Sequence, residues 1–141
     1  MPIVGFNFEK ILSERKEAIS GPIKINSDIN IKGVEEEKFK VGKSEELLKF
    51  NFEFKVNYEK IGSIEFTGHV LYLDEPKKIK EILNEWKKNK NIPQEIARQI
   101  INTILFKCNI KALSLEQDIN LPPHLNLPKV QPVKDPKEYI G

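Results

Sequence analysis

The sequence has few of the residues that staple a fold or carry out chemistry. Its single cysteine, Cys108, excludes an internal disulfide, and one thiol beside two histidines cannot build a structural zinc site. A reducing, cytoplasmic compartment is the expectation. Arginine is limited to Arg15 and Arg98, and the net charge of +2 is too small to imply nucleic acid by itself. No apolar run approaches the roughly 20 residues needed to span a bilayer, so no membrane insertion is expected. The opening residues lack a basic region followed by a long apolar run, so no secretory leader is expected. Gly5, Gly21, Gly33, Gly42, Gly62 and Gly68 are scattered singly, which leaves no glycine-rich phosphate loop.

What remains is an ordinary globular composition. The 141 residues are 39% apolar and 31% charged, which suits one domain that buries about two thirds of its unfolded surface. Abundant Ile, Lys and Glu fit a thermophile or an AT-rich genome.

Hydrophobic period divides the chain in two. Val4, Phe6 and Phe8 alternate with polar or small residues, then Ile11 and Leu12 break the alternation, which predicts a strand with a bulge near Lys10. Ser20-Gly21-Pro22 is a breaker. A second strand begins with Ile23, Ile25, Ile29 and Ile31 and is expected to run on toward Phe39 and Val41. The third is the clearest: Leu48, Phe50, Phe52, Phe54, Val56 and Tyr58 occupy every second position. After a turn around residues 60–63, Ile64, Phe66, Val70 and Tyr72 mark a fourth. Short connections imply antiparallel pairing.

Beyond Asp74-Glu75-Pro76 the period becomes helical. Ile79, Ile82, Leu83 and Trp86 form one stripe, and Asn89-Lys90-Asn91 ends the helix. Pro93 opens a second helix expected to reach about Leu113. One of its stripes is Ala97, Ile100, Ile101, Ile104, Leu105 and Cys108; another is Ile96, Thr103, Phe106, Ile110 and Leu113. A helix apolar on two sides is buried on two sides, so the second stripe is assigned to an oligomer interface. The fold class is therefore α+β, a four-stranded antiparallel sheet followed by two helices. A single domain over residues 1–133 includes a proline-rich, extended tail segment at 118–133, and residues 134–141 are expected to be mobile.

Catalysis finds no support. His69 and His124 have no ligand-spaced partners, Cys108 reads as a small core residue, and Glu35-Glu36-Glu37 reads as a solvated loop. Lysines on the first helix alternate with Glu81 and Glu85, a solvated face. No enzyme activity, cofactor, metal or nucleic acid is expected. The aromatics are more numerous than two helices need cover, and leftover apolar surface marks a partner or a groove.

One further pattern is local. Pro123-His124-Leu125-Asn126-Leu127-Pro128-Lys129-Val130 resembles the proline–x–Leu–Asn–Leu–x–x–Val segment that follows the long helix in SecB export chaperones. Ile92-Pro93 and Ala97-Arg98 resemble the proline and the Ala-Arg pair that open that helix, and the chain as a whole resembles archaeal relatives of the family. The resemblance implies a cytoplasmic holdase: a homotetramer, built as a dimer of dimers, with apolar grooves for unfolded client polypeptides and a role in protein export or toxin neutralisation. Residues assigned to the groove are Phe50, Phe52, Phe54, Tyr58, Phe66 and Tyr72 from the sheet, with Trp86, Leu125 and Leu127 at its margins. The family's extra C-terminal helix and acidic tail have no counterpart before Lys134-Asp135-Pro136-Lys137, so engagement of a secretion motor is not implied. A protein–protein adaptor or a binder of small apolar ligands would use the same aromatics.

Overall fold

Alternation decides the first half of the chain. In this computed structural model, which describes residues 3–37 and 45–128, four strands form: β1 (Ile3–Arg15), β2 (Asn26–Glu37), β3 (Glu46–Asn57) and β4 (Gly62–Asp74). All neighbours are antiparallel, in the order β1-β4-β3-β2. The expected run-on of the second strand to Phe39 and Val41, and the expected mobile residues 134–141, lie outside the described residues.

The central pair carries the core. Phe54 faces Phe66, Phe50 faces Val70, and Val56 faces Ile64 across β3 and β4, and all six are buried. Phe54 stacks on Phe66 with centroids 5.7 Å apart, and Phe50 meets Tyr72 edge-on at 6.2 Å. Such pairs add about 0.5–1.5 kcal/mol each beyond area burial. Phe52 faces Gly68 instead, and its ring leans across β4 to stack on Phe6 of β1 at 5.3 Å. A Cβ on Gly68 would run into the Asn7 carbonyl oxygen and sit 2.8 Å from Phe52 Cζ.

Two register shifts in β1 bracket the inward Phe6 and Phe8, and the second falls between Phe8 and Lys10, as the broken alternation predicted. A third, between Ile31 and Gly33 of β2, returns Val34 to the inner face. The second strand begins at Asn26 rather than Ile23; Ile23 and Ile25 pack against the core from the β1–β2 connection. Glu35, Glu36 and Glu37 lie on β2, not in a loop, because Glu35 pairs with Lys49 and accepts a bond from Asn51 Nδ2 at 3.3 Å.

The helices cover the apolar face. Helix α1 (Pro76–Asn89) packs on β2 and β3, and α2 (Gln94–Asp118) on β4 and β3. At the entry to α1, Asp74 Oδ1 accepts the Glu75 N–H at 2.8 Å and Oδ2 accepts the Tyr72 hydroxyl at 2.8 Å. Lys90 ends α1 in the left-handed region, its N–H bonded to the Trp86 carbonyl. Helix α2 runs past the expected end at Leu113 to Asp118, since no breaker precedes Pro122 and Ala112 and Glu116 continue its buried row.

That row is Ile96, Ile100, Ile104, Cys108, Ala112 and Glu116, a strict i+4 series. Such rows are inclined to the helix axis, so this one winds with the twisted sheet beneath it. Ile96 therefore belongs to the core and not to the outer stripe to which its spacing assigned it. Gly68→Ala should destabilise the domain by about 1–3 kcal/mol or more, because the new methyl runs into the Asn7 carbonyl of β1 and displaces the Phe52 ring. Urea unfolding of the variant would measure the loss.

Candidate functional site

The linker between the helices lines a concavity. A cleft of about 840 Å³ opens between α1 and α2, with Ile82, Ile92, Pro93, Ile96 and Ala97 as its apolar lining. Glu81, Glu85 and Glu95 stand at its walls against Lys78. A second concavity of about 600 Å³ shares Asn91, Ile92 and Ala97 with the first and extends past Trp86 to Ile31 on β2. Lys90 Nζ sits 5.3 Å from the Trp86 ring centroid, a cation–π contact that holds the indole at this margin. Because β2 is the last strand in the order, the combined groove ends beside a sheet edge with no neighbouring strand among the described residues. An extended polypeptide could add backbone hydrogen bonds there while placing side chains among Ile31, Trp86 and Ile92.

The sheet residues assigned to a groove have a different place. Phe50, Phe52, Phe54, Tyr58, Phe66 and Tyr72 are all fully buried beneath the helices, so in this protomer they are core. Trp86 is half-buried and does line the groove. Leu125 and Leu127 are exposed on the segment after α2. Ile31, Ile82, Ile92, Pro93 and Ala97 were not assigned to the groove from the sequence. Ile92 carried the one usable signal: an apolar residue in a linker, outside the stripe of either helix.

On the outer side of α2 the remaining four members of the second stripe stay together. Phe106 is 66% exposed and Ile110 55%, with Thr103 and Leu113 half-buried beside them. These residues are spaced i, i+3, i+7 and i+10, one continuous apolar face.

The second cluster lies at the other end of α2. Leu121 N–H bonds the Glu116 carbonyl at 2.9 Å, and Arg15 Nη1 donates to the Ile119 and Asn120 carbonyls at 3.3 and 3.2 Å. The His124 side chain is buried there. Its Nδ1 is 2.8 Å from Glu116 Oε2 and its Nε2 is 2.8 Å from Asn109 Oδ1. The Tyr58 hydroxyl donates to the same Glu116 oxygen; burial first, and this carboxylate second, push its pKa up.

On the outer sheet face, His69 meets Glu9 at 2.7 Å and Asn7 at 3.3 Å, and the hydrogen bond from His69 lowers the Glu9 pKa. Lys32 and Lys55 pair with Glu53, each at 3.6 Å; exposed pairs of this kind contribute about 0–1 kcal/mol. No cluster of three or more His, Cys, Asp or Glu with metal-binding geometry occurs among the described residues, and no helix among them is long and apolar enough to cross a membrane.

No protein-family model and no curated protein matches the sequence. Among solved structures, the Rv1957 SecB-like chaperone of Mycobacterium tuberculosis, in complex with a ChAD peptide from the Rv1956 HigA1 antitoxin, aligns over 94% of this chain and 91% of its own, with a TM-score of 0.53 and 11% identity. The fold is SecB-like. In this SecB-like chain the strands and both helices follow the order that the sequence predicted.

Cys108 lies inside the buried row of α2, and burial pushes its thiol up to about 12 from an ordinary value of 9.0. A folded pKa above the unfolded one means that the neutral thiol's contribution is fully present below about pH 9. It is lost as pH rises toward about 12. At pH 8 the thiol should resist iodoacetamide while the chain is folded and react once it is denatured, which mass spectrometry would show.

Proposed function

We propose that this chain is a subunit of a holdase chaperone, which captures unfolded or non-native polypeptides in apolar grooves of a homo-oligomer. The observation that carries the reading is the groove that runs from between α1 and α2, past Ile92 and Trp86, to the open edge of β2. It combines apolar lining with unpaired backbone, a pairing of features that tolerates many sequences. Neither feature asks for a nucleotide or a metal. The SecB-like neighbour, solved in complex with an antitoxin peptide, supports a polypeptide as the occupant.

The outer face of α2 supports assembly. Phe106, Ile110, Leu113 and Thr103 form an apolar surface that this chain leaves in water, and a homotetramer built as a dimer of dimers would cover it. Ile96 has no part in that interface. Capture of this kind would serve either export or toxin neutralisation, since both begin by keeping a client unfolded.

Light scattering tests the activity: the protein should slow aggregation of an unrelated, chemically denatured enzyme. An unchanged aggregation rate at severalfold excess would refute the reading. Ile92→Glu should weaken binding of an unfolded client about tenfold or more, equivalent to ~1.4 kcal/mol, without changing the oligomeric mass. Phe106→Asp or Ile110→Asp should dissociate the oligomer in light-scattering chromatography while circular dichroism keeps the sheet signal. Loss of the fold in either variant would mark the stripe as internal core.

A further inference from the structure

The polar cluster at the C-terminal end of α2 is not part of the groove and has chemistry of its own. Two titratable side chains are shut away from water there: Glu116 is 2% exposed and His124 is 0% exposed. His124 is the only polar anchor that the segment after Leu121 sends into the body among the described residues. Its ring also meets Phe54 edge-on at 6.1 Å. Glu116 Oε2 takes both the Tyr58 and His124 contacts, whereas Oε1 is buried without a hydrogen-bond partner. A fold that needed only to pin its tail would be served by another leucine; a buried, incompletely bonded carboxylate is a costly substitute.

We propose that Tyr58, Glu116, His124 and Asn109 form an acid-released latch. It holds residues 121–128 against the turn end of the β3–β4 hairpin and lets them lift when the buried pair takes up one extra proton. The argument is one of charge. A carboxylate with an imidazolium is neutral overall, and so is a carboxylic acid with a neutral ring. A further proton places a carboxylic acid beside an imidazolium, an uncompensated cation in the interior. The titratable and charged groups at the latch are Tyr58, just past the end of β3, Glu116 on α2, and Arg15 on β1, which bonds the carbonyls just before the segment. The Tyr58 phenol already holds its proton, Asn109 is neutral, and Arg15 adds charge of the same sign. None of them absorbs the excess, so the imidazolium moves to water and takes the segment with it. Loss of a proton is milder, because Tyr58 and an Nδ1–H still satisfy the carboxylate.

The hinge is also in place. Asn120 sits in the left-handed region at φ 56°, and Arg15 clamps the carbonyls just before Leu121. Lifting therefore begins after the clamp, and it uncovers Leu121, Phe54 and Tyr58, all buried when the latch is closed. The latch does not depend on what the groove between the helices binds.

Hydrogen–deuterium exchange on the full chain, between about pH 7 and pH 4 and corrected for intrinsic exchange rates, is the test. Protection of the Leu121 amide, which bonds the Glu116 carbonyl when the latch is closed, should fall at least tenfold on acidification while β3 and β4 stay protected. His124→Gln, which cannot form the imidazolium, should flatten that profile. Glu116→Gln, which lacks the counter-charge, should open the segment nearer neutrality. Unchanged protection in the native chain, loss of tail and strand protection together, or an unaltered profile in His124→Gln would each overturn the proposal. The native chain's own profile remains decisive if a variant does not fold.

Discussion

The aromatic and branched side chains between β3 and β4 set the terms for everything around them. Phe50, Phe54, Val56, Ile64, Phe66, Val70 and Tyr72 all project to one face of the sheet, so that face cannot remain in water. Covering it takes both helices, and the sheet's twist dictates which residues of α2 are spent on it. The row from Ile96 to Glu116 is used up in this way. Phe106 and Ile110 are left over because a helix this apolar has more surface than one sheet can bury.

The groove follows from the same constraint. α1 packs on β2 and β3 and α2 on β4 and β3, and the linker residue Ile92 lines both concavities beside them. The lining is apolar because it is the edge of the core: Ile82 and Ile96 belong to the buried set and the groove at once. Groove lining and stability are thus drawn from the same residues. This accounts for the apolar recess on this SecB-like fold.

The strands and helices were legible in the sequence because their signal is local. Leu48 to Tyr58 alternates without fault, and Pro76 and Pro93 mark both helix starts. The site was less so. Ile96 was misassigned because spacing along one helix does not reveal how the sheet beneath it twists. The aromatics of β3 and β4 were assigned to a groove because period alone says that a face is apolar, not whether it is covered. Ile31 and Ile92 meet only in the folded chain. His124 read as unremarkable because its partners, Tyr58, Asn109 and Glu116, come from two other elements.

Strand order has a further consequence, in time rather than in space. β1 and β2 are consecutive in the chain but occupy opposite edges of the sheet, and the connection between them passes the β3–β4 turn, where Lys16 N–H bonds the Ile61 carbonyl. Among the described residues β1 pairs only with β4. It is made before β4 and pairs after it, so Phe6 and Phe8 wait without a partner until β2, β3 and β4 have all been synthesised. Long-range pairing of this kind is slow and leaves apolar strands exposed meanwhile. During its own synthesis, this chain presents the kind of surface that a polypeptide-holding protein exists to shield.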